Sequence, residues 1–145
     1  MKIRSVLLFA VLFTLSACST IKKTQQNQVD NRVNNIVWAV VSYKGHTLNE
    51  KDFTNGVPRV SFNMQDGRIN GNDGCNSFMG LATYKDNTIK TRAIATTKME
   101  CAGVPVPGDF YAILGSDNLS WKLDYTNTLR LYVGDLEMMA LKEKE

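Results

Sequence analysis

Apolar residues in this chain recur mostly at every second position, in short runs broken by turn-forming residues. Ile36-Val37-Trp38-Ala39-Val40-Val41 is β-branched and aromatic, and Lys44-Gly45 follows as a turn signal. Between Val57 and Met64, Val60 and Phe62 alternate with Arg59, Ser61 and Asn63. Asp66-Gly67 then marks a hairpin, and Ile69 starts the returning strand. Phe78–Tyr84 and Thr88–Thr91 form another pair across Lys85-Asp86-Asn87. Three closing strands, Trp121–Tyr125, Leu129–Val133 and Leu136–Leu141, are separated by Thr126-Asn127-Thr128 and Gly134-Asp135. The period changes once: Phe110, Ile113 and Leu114 stand at i, i+3 and i+4, predicting a short helix over residues 109–116 that Asp109 caps. The fold class expected is mainly β (α+β), a compact antiparallel β-barrel or roll of short strands with one short α-helix. Its core is expected to hold Trp38, Val40, Val60, Phe62, Ile69, Phe78, Leu81, Ile113, Leu114, Trp121, Leu123, Leu131 and Leu141.

Ahead of Ile36 the pattern is different. Lys2 and Arg4 precede an apolar run from Val6 to Leu15, which is too short to span a hydrocarbon core of about 30 Å. Leu15-Ser16-Ala17-Cys18 closes the run and resembles the lipobox of a bacterial lipoprotein signal peptide. That resemblance implies cleavage before Cys18 and acylation of Cys18, with a diacylglycerol on sulfur and usually a further acyl chain on the amine. Ser19–Asn35 is polar, with Ile21, Val29 and Val33 its only aliphatics and no aromatic residue. Such a segment buries too little apolar area to offset its ordering entropy and reads as a flexible tether. The expected organisation is a signal peptide over 1–17, an acylated Cys and tether over 18–35, and one domain over 36–145. Ser19 is compatible with outer-membrane sorting in bacteria that reject an acidic residue there. The expected location is therefore the bacterial cell envelope, lipid-anchored on the periplasmic face of the outer membrane.

Charge changes the picture of partners. The whole chain carries +3, but loss of Lys2 and Arg4 leaves fifteen basic against fourteen acidic residues in a mature chain of 128. A net of +1 gives no electrostatic case for nucleic acid or for a polybasic membrane patch. The partners expected are the membrane, through the N-terminal lipid, and an unidentified envelope protein or component; the domain itself is expected to be monomeric.

Several short motifs stand in a distinctive order. Trp38 lies in the opening strand, followed by Pro58-Arg59-Val60-Ser61-Phe62, Gly71-Asn72-Asp73-Gly74-Cys75-Asn76 and Thr97-Lys98-Met99-Glu100-Cys101 ahead of the helix. Over about residues 36–142 this resembles the META domain family, whose bacterial members include heat-shock-associated lipoproteins. The resemblance implies a role in stress or antibiotic tolerance and names no family-wide ligand. Two positions depart from the family pattern: the helix opens with Pro-Gly-Asp-Phe where a Glu is common, and Lys98 stands where Arg is common. A role needing the bidentate fork of Arg is not available to Lys98.

With Cys18 acylated, Cys75 and Cys101 remain, 26 positions apart in an exported chain. A disulfide is expected, since closing such a loop stabilises a fold by roughly 3–4 kcal/mol. Two separate buried thiols, or a metal or redox site, remain open on the sequence. Catalytic chemistry is thinly provided for. His46 is the only histidine and reads as an exposed loop residue, while Asp73, Glu100 and Asp109 read as solvated turn and cap carboxylates. Asp66–Gly74 is rich in Asp, Asn and Gly but fails the EF-hand template, with Arg68 at the second ligand position and Ser77 at the bidentate Glu position. A soft Cu(I) site from Cys75, Cys101, Met79, Met99 and the Met138-Met139 pair is conceivable, although methionines commonly fill core gaps. No catalytic residue, resident metal or cofactor is expected. The leading expectation is a non-catalytic envelope binding or stabilising module. Its possible binding surface is Asn72, Asp73, Asn76, Lys98 and Glu100, where the two most distinctive motifs should meet. The alternative is an envelope redox or copper-binding protein built on Cys75, Cys101 and nearby Met.

Overall fold

The computed structural model describes residues 30–102 and 108–144. The alternating runs become β1 (Val37–Tyr43), β2 (His46–Thr47), β3 (Arg59–Asn63), β4 (Arg68–Asn72), β5 (Ser77–Lys85), β6 (Thr88–Thr96), β7 (Leu119–Leu123), β8 (Thr128–Val133) and β9 (Leu136–Glu143). A single short α-helix among the described residues, α1 (Phe110–Leu114), lies between β6 and β7 in the chain, and one 3-10 turn covers Glu50–Asp52 after β2. The strands pair antiparallel in the order β2-β1-β3-β4-β5-β6-β7-β8-β9. β1 also pairs with β9, from Trp38↔Glu143 to Tyr43↔Met139, so the sheet closes into a ring. Closure removes the free edges that an open sheet would offer for aggregation. The mainly β, antiparallel barrel with one short helix is thus the fold observed.

The weakest seam is between β6 and β7, which share one residue pair, Thr88↔Ser120. Helix α1 lies against β6 beside this seam: the Thr91 hydroxyl donates to the Leu114 carbonyl at 2.7 Å. Phe110, Ile113 and Leu114 are buried in the barrel core, as their spacing requires. The helix is shorter than the 109–116 span expected, and Asp109 does not cap it. Its carboxylate instead accepts from the Tyr43 hydroxyl at 2.5 Å and from the Lys44 ammonium. Two side-chain donors, one of them charged, hold a carboxylate more strongly than a lone backbone amide does.

The core contains every residue expected except two. Leu81 is 56% exposed, because period-two geometry on β5 turns Phe78, Ala82 and Tyr84 inward and their odd-spaced neighbour outward. Leu123 is half-buried and packs against the edge of the cluster. β6 runs past Thr91 to Thr96, paired with β5 as far as Phe78↔Thr96. A register shift between Met79 and Leu81, with Ala93 at φ 51°, marks a bulge that interrupts the alternation in its second half. β7 starts at Leu119 and ends at Leu123 because the Asp124 carboxylate accepts from the amides of Thr126 and Thr128, turning the chain and leaving Tyr125 fully exposed.

The folded domain also begins earlier than composition suggested. Val33, assigned to the tether, is buried, and its carbonyl accepts from the Trp38 indole N–H at 3.2 Å. Asn35 N–H donates to the Phe62 carbonyl at 2.8 Å, and the Asn34 side chain accepts from Met64 N–H at 2.8 Å. A buried indole N–H needs an acceptor, and this one draws a polar segment onto the barrel. The expected signal peptide, Cys18 and the part of the expected tether up to residue 29 lie outside the described residues.

Candidate functional site

The loop joining β4 to β5 gathers most of the residues singled out in the sequence. Asn72 pairs with Ser77, so Asp73–Asn76 must reverse the chain in four residues. Two glycines make room for this. A Cβ on Gly71 would stand 2.0 Å from the Arg59 carbonyl oxygen and 2.8 Å from the Phe78 ring. Gly74 adopts φ +94°, and a Cβ there would fall 2.5 Å from the Phe53 ring.

Asp73 is the hub. It was expected as a solvated turn carboxylate, yet it is 5% exposed. One carboxylate oxygen accepts from Cys75 N–H at 2.9 Å and Asn76 N–H at 2.6 Å; the other accepts from the Tyr111 hydroxyl at 2.6 Å. A buried carboxylate is tolerable when its lone pairs are met in this way. Burial pushes the Tyr111 phenol well above its ordinary value, and the adjacent Asp73 carboxylate adds to the shift, so the hydroxyl keeps its proton and remains a donor.

Asn76 ties the loop to the chain that leaves β6. Its side-chain oxygen accepts from Met99 N–H at 2.6 Å and from the Thr97 hydroxyl at 3.0 Å. Thr97 in turn accepts from Ser77 N–H at 3.1 Å through its hydroxyl oxygen. The Asn72 side chain accepts from Gly74 N–H at 2.7 Å. Cys75 and Cys101 form a disulfide, with their Cα atoms 5.9 Å apart, well inside the usual range. Residues 97–102 therefore form a strap fastened to the β4–β5 loop by hydrogen bonds and one covalent link.

A third segment supports the same loop. Asn55 donates through its backbone to the Gly74 carbonyl at 3.2 Å and through its side chain to the Cys75 carbonyl at 3.0 Å. The Thr54 hydroxyl bonds to the Ala102 carbonyl. Sequence reasoning missed Asn55, Thr54 and Tyr111. Asn55-Gly56 reads only as a turn, and no local pattern links it to Cys75, twenty residues away.

The five expected binding residues are thus brought together but differ in use. Asp73 and Asn76 are committed to holding the loop, and Asn72 partly so. Lys98 and Glu100 lie on the strap, exposed, with Met99 between them 53% exposed. Among the described residues neither Lys98 nor Glu100 makes a side-chain hydrogen bond or ion pair. Glu100 and Asp109 do not join Asp73 as an acid–base set: Asp109 is engaged by Lys44 and Tyr43, which hold its carboxyl below the usual range. His46 is exposed on β2, opposite Tyr43.

The soft-metal arrangement does not assemble. Cys75 and Cys101 are bonded to each other and offer no thiolate. Met79 points outward at 67% exposure, whereas Met139 is buried in the core.

The sequence model of the META domain family matches residues 31–145. No curated protein matches the chain. Among solved structures, a protein from Burkholderia xenovorans determined by NMR superposes with a TM-score of 0.59 at 16% identity, covering 77% of this chain and 83% of its own. A second NMR structure gives a TM-score of 0.60 at 19% identity, covering 77% of this chain and 92% of its own. At these identities the likeness is one of fold.

Proposed function

We propose, because the chain belongs to the META domain family, that it works as a non-catalytic binding module of the bacterial cell envelope. In this reading it is held to a membrane through acylated Cys18 and contributes to stress or antibiotic tolerance. The observation that carries the proposal is the division of labour at the strap. Asp73 and Asn76, the polar side chains at the centre of the loop, each have their acceptor oxygens occupied by internal donors. A carboxylate holding three donors is poorly suited to take a proton from a substrate, since it would have to break its own network first. The Cys75–Cys101 bond likewise supports a staple rather than a nucleophile. What faces outward is a fastened, pre-organised display of Lys98, Met99 and Glu100. Such rigidity suits recognition, because little ordering entropy is lost on binding.

The test is site-specific photo-crosslinking in the producing bacterium, with the crosslinker at Met99 and, as a control, at the fully exposed Tyr125. A discrete adduct from position 99 that disappears in the Lys98→Glu/Glu100→Lys variant is expected. The same double variant should fail to restore stress survival in a deletion strain. Full restoration, with no adduct specific to position 99, would dispose of the strap as the binding surface.

A further inference from the structure

A second surface lies on the outer face of β4, β5 and β6, where a groove of about 460 Å³ runs between the strands. Met79 and Leu81 line it at 67% and 56% exposure, together with Ala93 and Ala95. Strand register orders the neighbours into rows. Arg68 and Arg92 stand on either side of Leu81, and Asn70 and Ala95 stand on either side of Met79. Gly80 and the bulge at Ala93 produce the concavity: β6 crosses the Gly80 position so closely that a Cβ there would meet Ile94 at 3.1 Å.

The charge on this face is one-sided. β4, β5 and β6 carry Arg68, Lys85, Lys90 and Arg92 and contain no Asp or Glu. Residues 30–145 as a whole hold thirteen basic and fourteen acidic residues, so the remainder of the domain carries a net of −5. All four cations are exposed, and none forms an ion pair among the described residues. An exposed Leu81 flanked by two unpaired arginines, with the exposed Met79 beside it on the same strand face, matches a surface that is apolar beneath and anionic on top.

The geometry points to a docking surface for a bilayer carrying anionic headgroups, with Met79 and Leu81 entering the interface and Arg68, Lys90 and Arg92 meeting phosphates. A membrane suits this face better than a soluble acidic partner because of where the chain arrives. Asn34 bonds to Met64, at the end of the β3–β4 hairpin where Asn63 pairs with Arg68, so the N-terminal segment reaches the domain at the same end as the groove's arginines. Asp30 lies twelve positions after Cys18, a reach of at most about 40 Å. The inference rests on the anchoring through Cys18 proposed above. An anchor that close keeps the domain at high effective concentration near the bilayer, so weak contacts suffice.

The test uses the acylated full chain in vesicles of phosphatidylcholine alone or mixed with phosphatidylglycerol. A Leu81→Trp variant is read by quenching from brominated lipid, with Leu136→Trp, on the opposite side of the ring, as control. Quenching of the Leu81→Trp signal is expected in mixed vesicles only. Adding Arg68→Gln and Arg92→Gln should shift the docked-to-undocked ratio by roughly 25-fold, about fivefold per cation near an anionic surface. Equal quenching in neutral vesicles, or none in mixed ones, overturns the proposal. Absent quenching together with an emission shift on adding a Glu-rich amphipathic peptide would also overturn it and assign the groove to an acidic protein segment. Flotation of the unsubstituted chain with neutral vesicles reads the anchor separately. A chain that does not float defeats the Cys18 reading, and docking is then judged by flotation with mixed vesicles, where failure overturns it.

Discussion

Replacing Asp73 with Ala removes the hub of the strap platform, and its cost can be worked from three bonds. Cys75 and Asn76 lose the acceptor for their amides; both residues are half-buried, so water can partly compensate, and each loss is worth about 1 kcal/mol. Tyr111 loses a charged acceptor at 2.6 Å in a part-buried setting, worth roughly 1.5–3 kcal/mol. The total is about 3.5–5 kcal/mol, which for a domain of this size lowers the melting temperature by roughly 14–20 °C. Asp73→Asn keeps the oxygen that serves both amides, and its new N–H₂ can donate to the Tyr111 oxygen, so it should cost only about 1–2 kcal/mol. Urea denaturation of the oxidised, unacylated chain measures both. In a double-mutant cycle, Tyr111→Phe should be costly alone and nearly neutral once Asp73 is Ala. A cost below about 1 kcal/mol for Asp73→Ala, or equal costs for the Ala and Asn variants, would refute the role given to this carboxylate.

Replacing Cys75 and Cys101 by Ser together should cost roughly 3–4 kcal/mol, and reduction of the unsubstituted chain should lower its denaturation midpoint by a similar amount. Gly71→Ala should prevent folding or nearly so, as its Cβ would overlap the Arg59 carbonyl, while Gly108→Ala meets nothing within 4 Å among the described residues and should leave the melting temperature almost unchanged. Thr126 and Thr128 hydrogen bonds hold the Asp124 carboxyl far below its usual range. The stability this adds is complete above the unfolded value of about 3.9 and is lost as pH falls below it; Asp124→Asn should therefore flatten the acid limb of a stability–pH curve. Burial raises Tyr43, Tyr84 and Tyr111, with Asp109 and Asp73 adding to the first and last, so the alkaline limb has the opposite sign. Stability is complete below about pH 10 and declines above it as unfolded tyrosines ionise first, a trend that pH-jump denaturation would register.

Much of the barrel was legible because half-buried antiparallel strands write their inward face into every second residue. Val60 and Phe62 on β3 show this, as does the two-residue Lys44-Gly45 turn between β1 and β2. Leu81 misled because its chemistry was weighed ahead of its parity with Phe78 and Tyr84. The second half of β6 was hidden by the bulge at Ala93, which breaks the alternation that marks a strand. Val33 was hidden for another reason: one valine in a polar segment carries no periodic signal, and only the Trp38 indole N–H gives it a place. At the candidate site the Cys pair and the neighbouring Asn76, Lys98 and Glu100 could be found by motif. Asp73 could not be recognised as buried, because two of its donors are in its own turn but the third, Tyr111, lies thirty-eight residues on. Asn55 and Thr54 depend wholly on tertiary packing.

The central claim is a lipid-anchored domain whose binding strap is fastened by an oxidised Cys pair. Intact-mass measurement of the chain purified from bacterial membranes, before and after reduction, tests both halves at once. The account predicts an N-terminus at Cys18 bearing the mass of its acyl chains, and a gain of two hydrogens after denaturation and reduction. A chain still beginning at Met1, or one whose Cys75 and Cys101 are free before reduction, would contradict it.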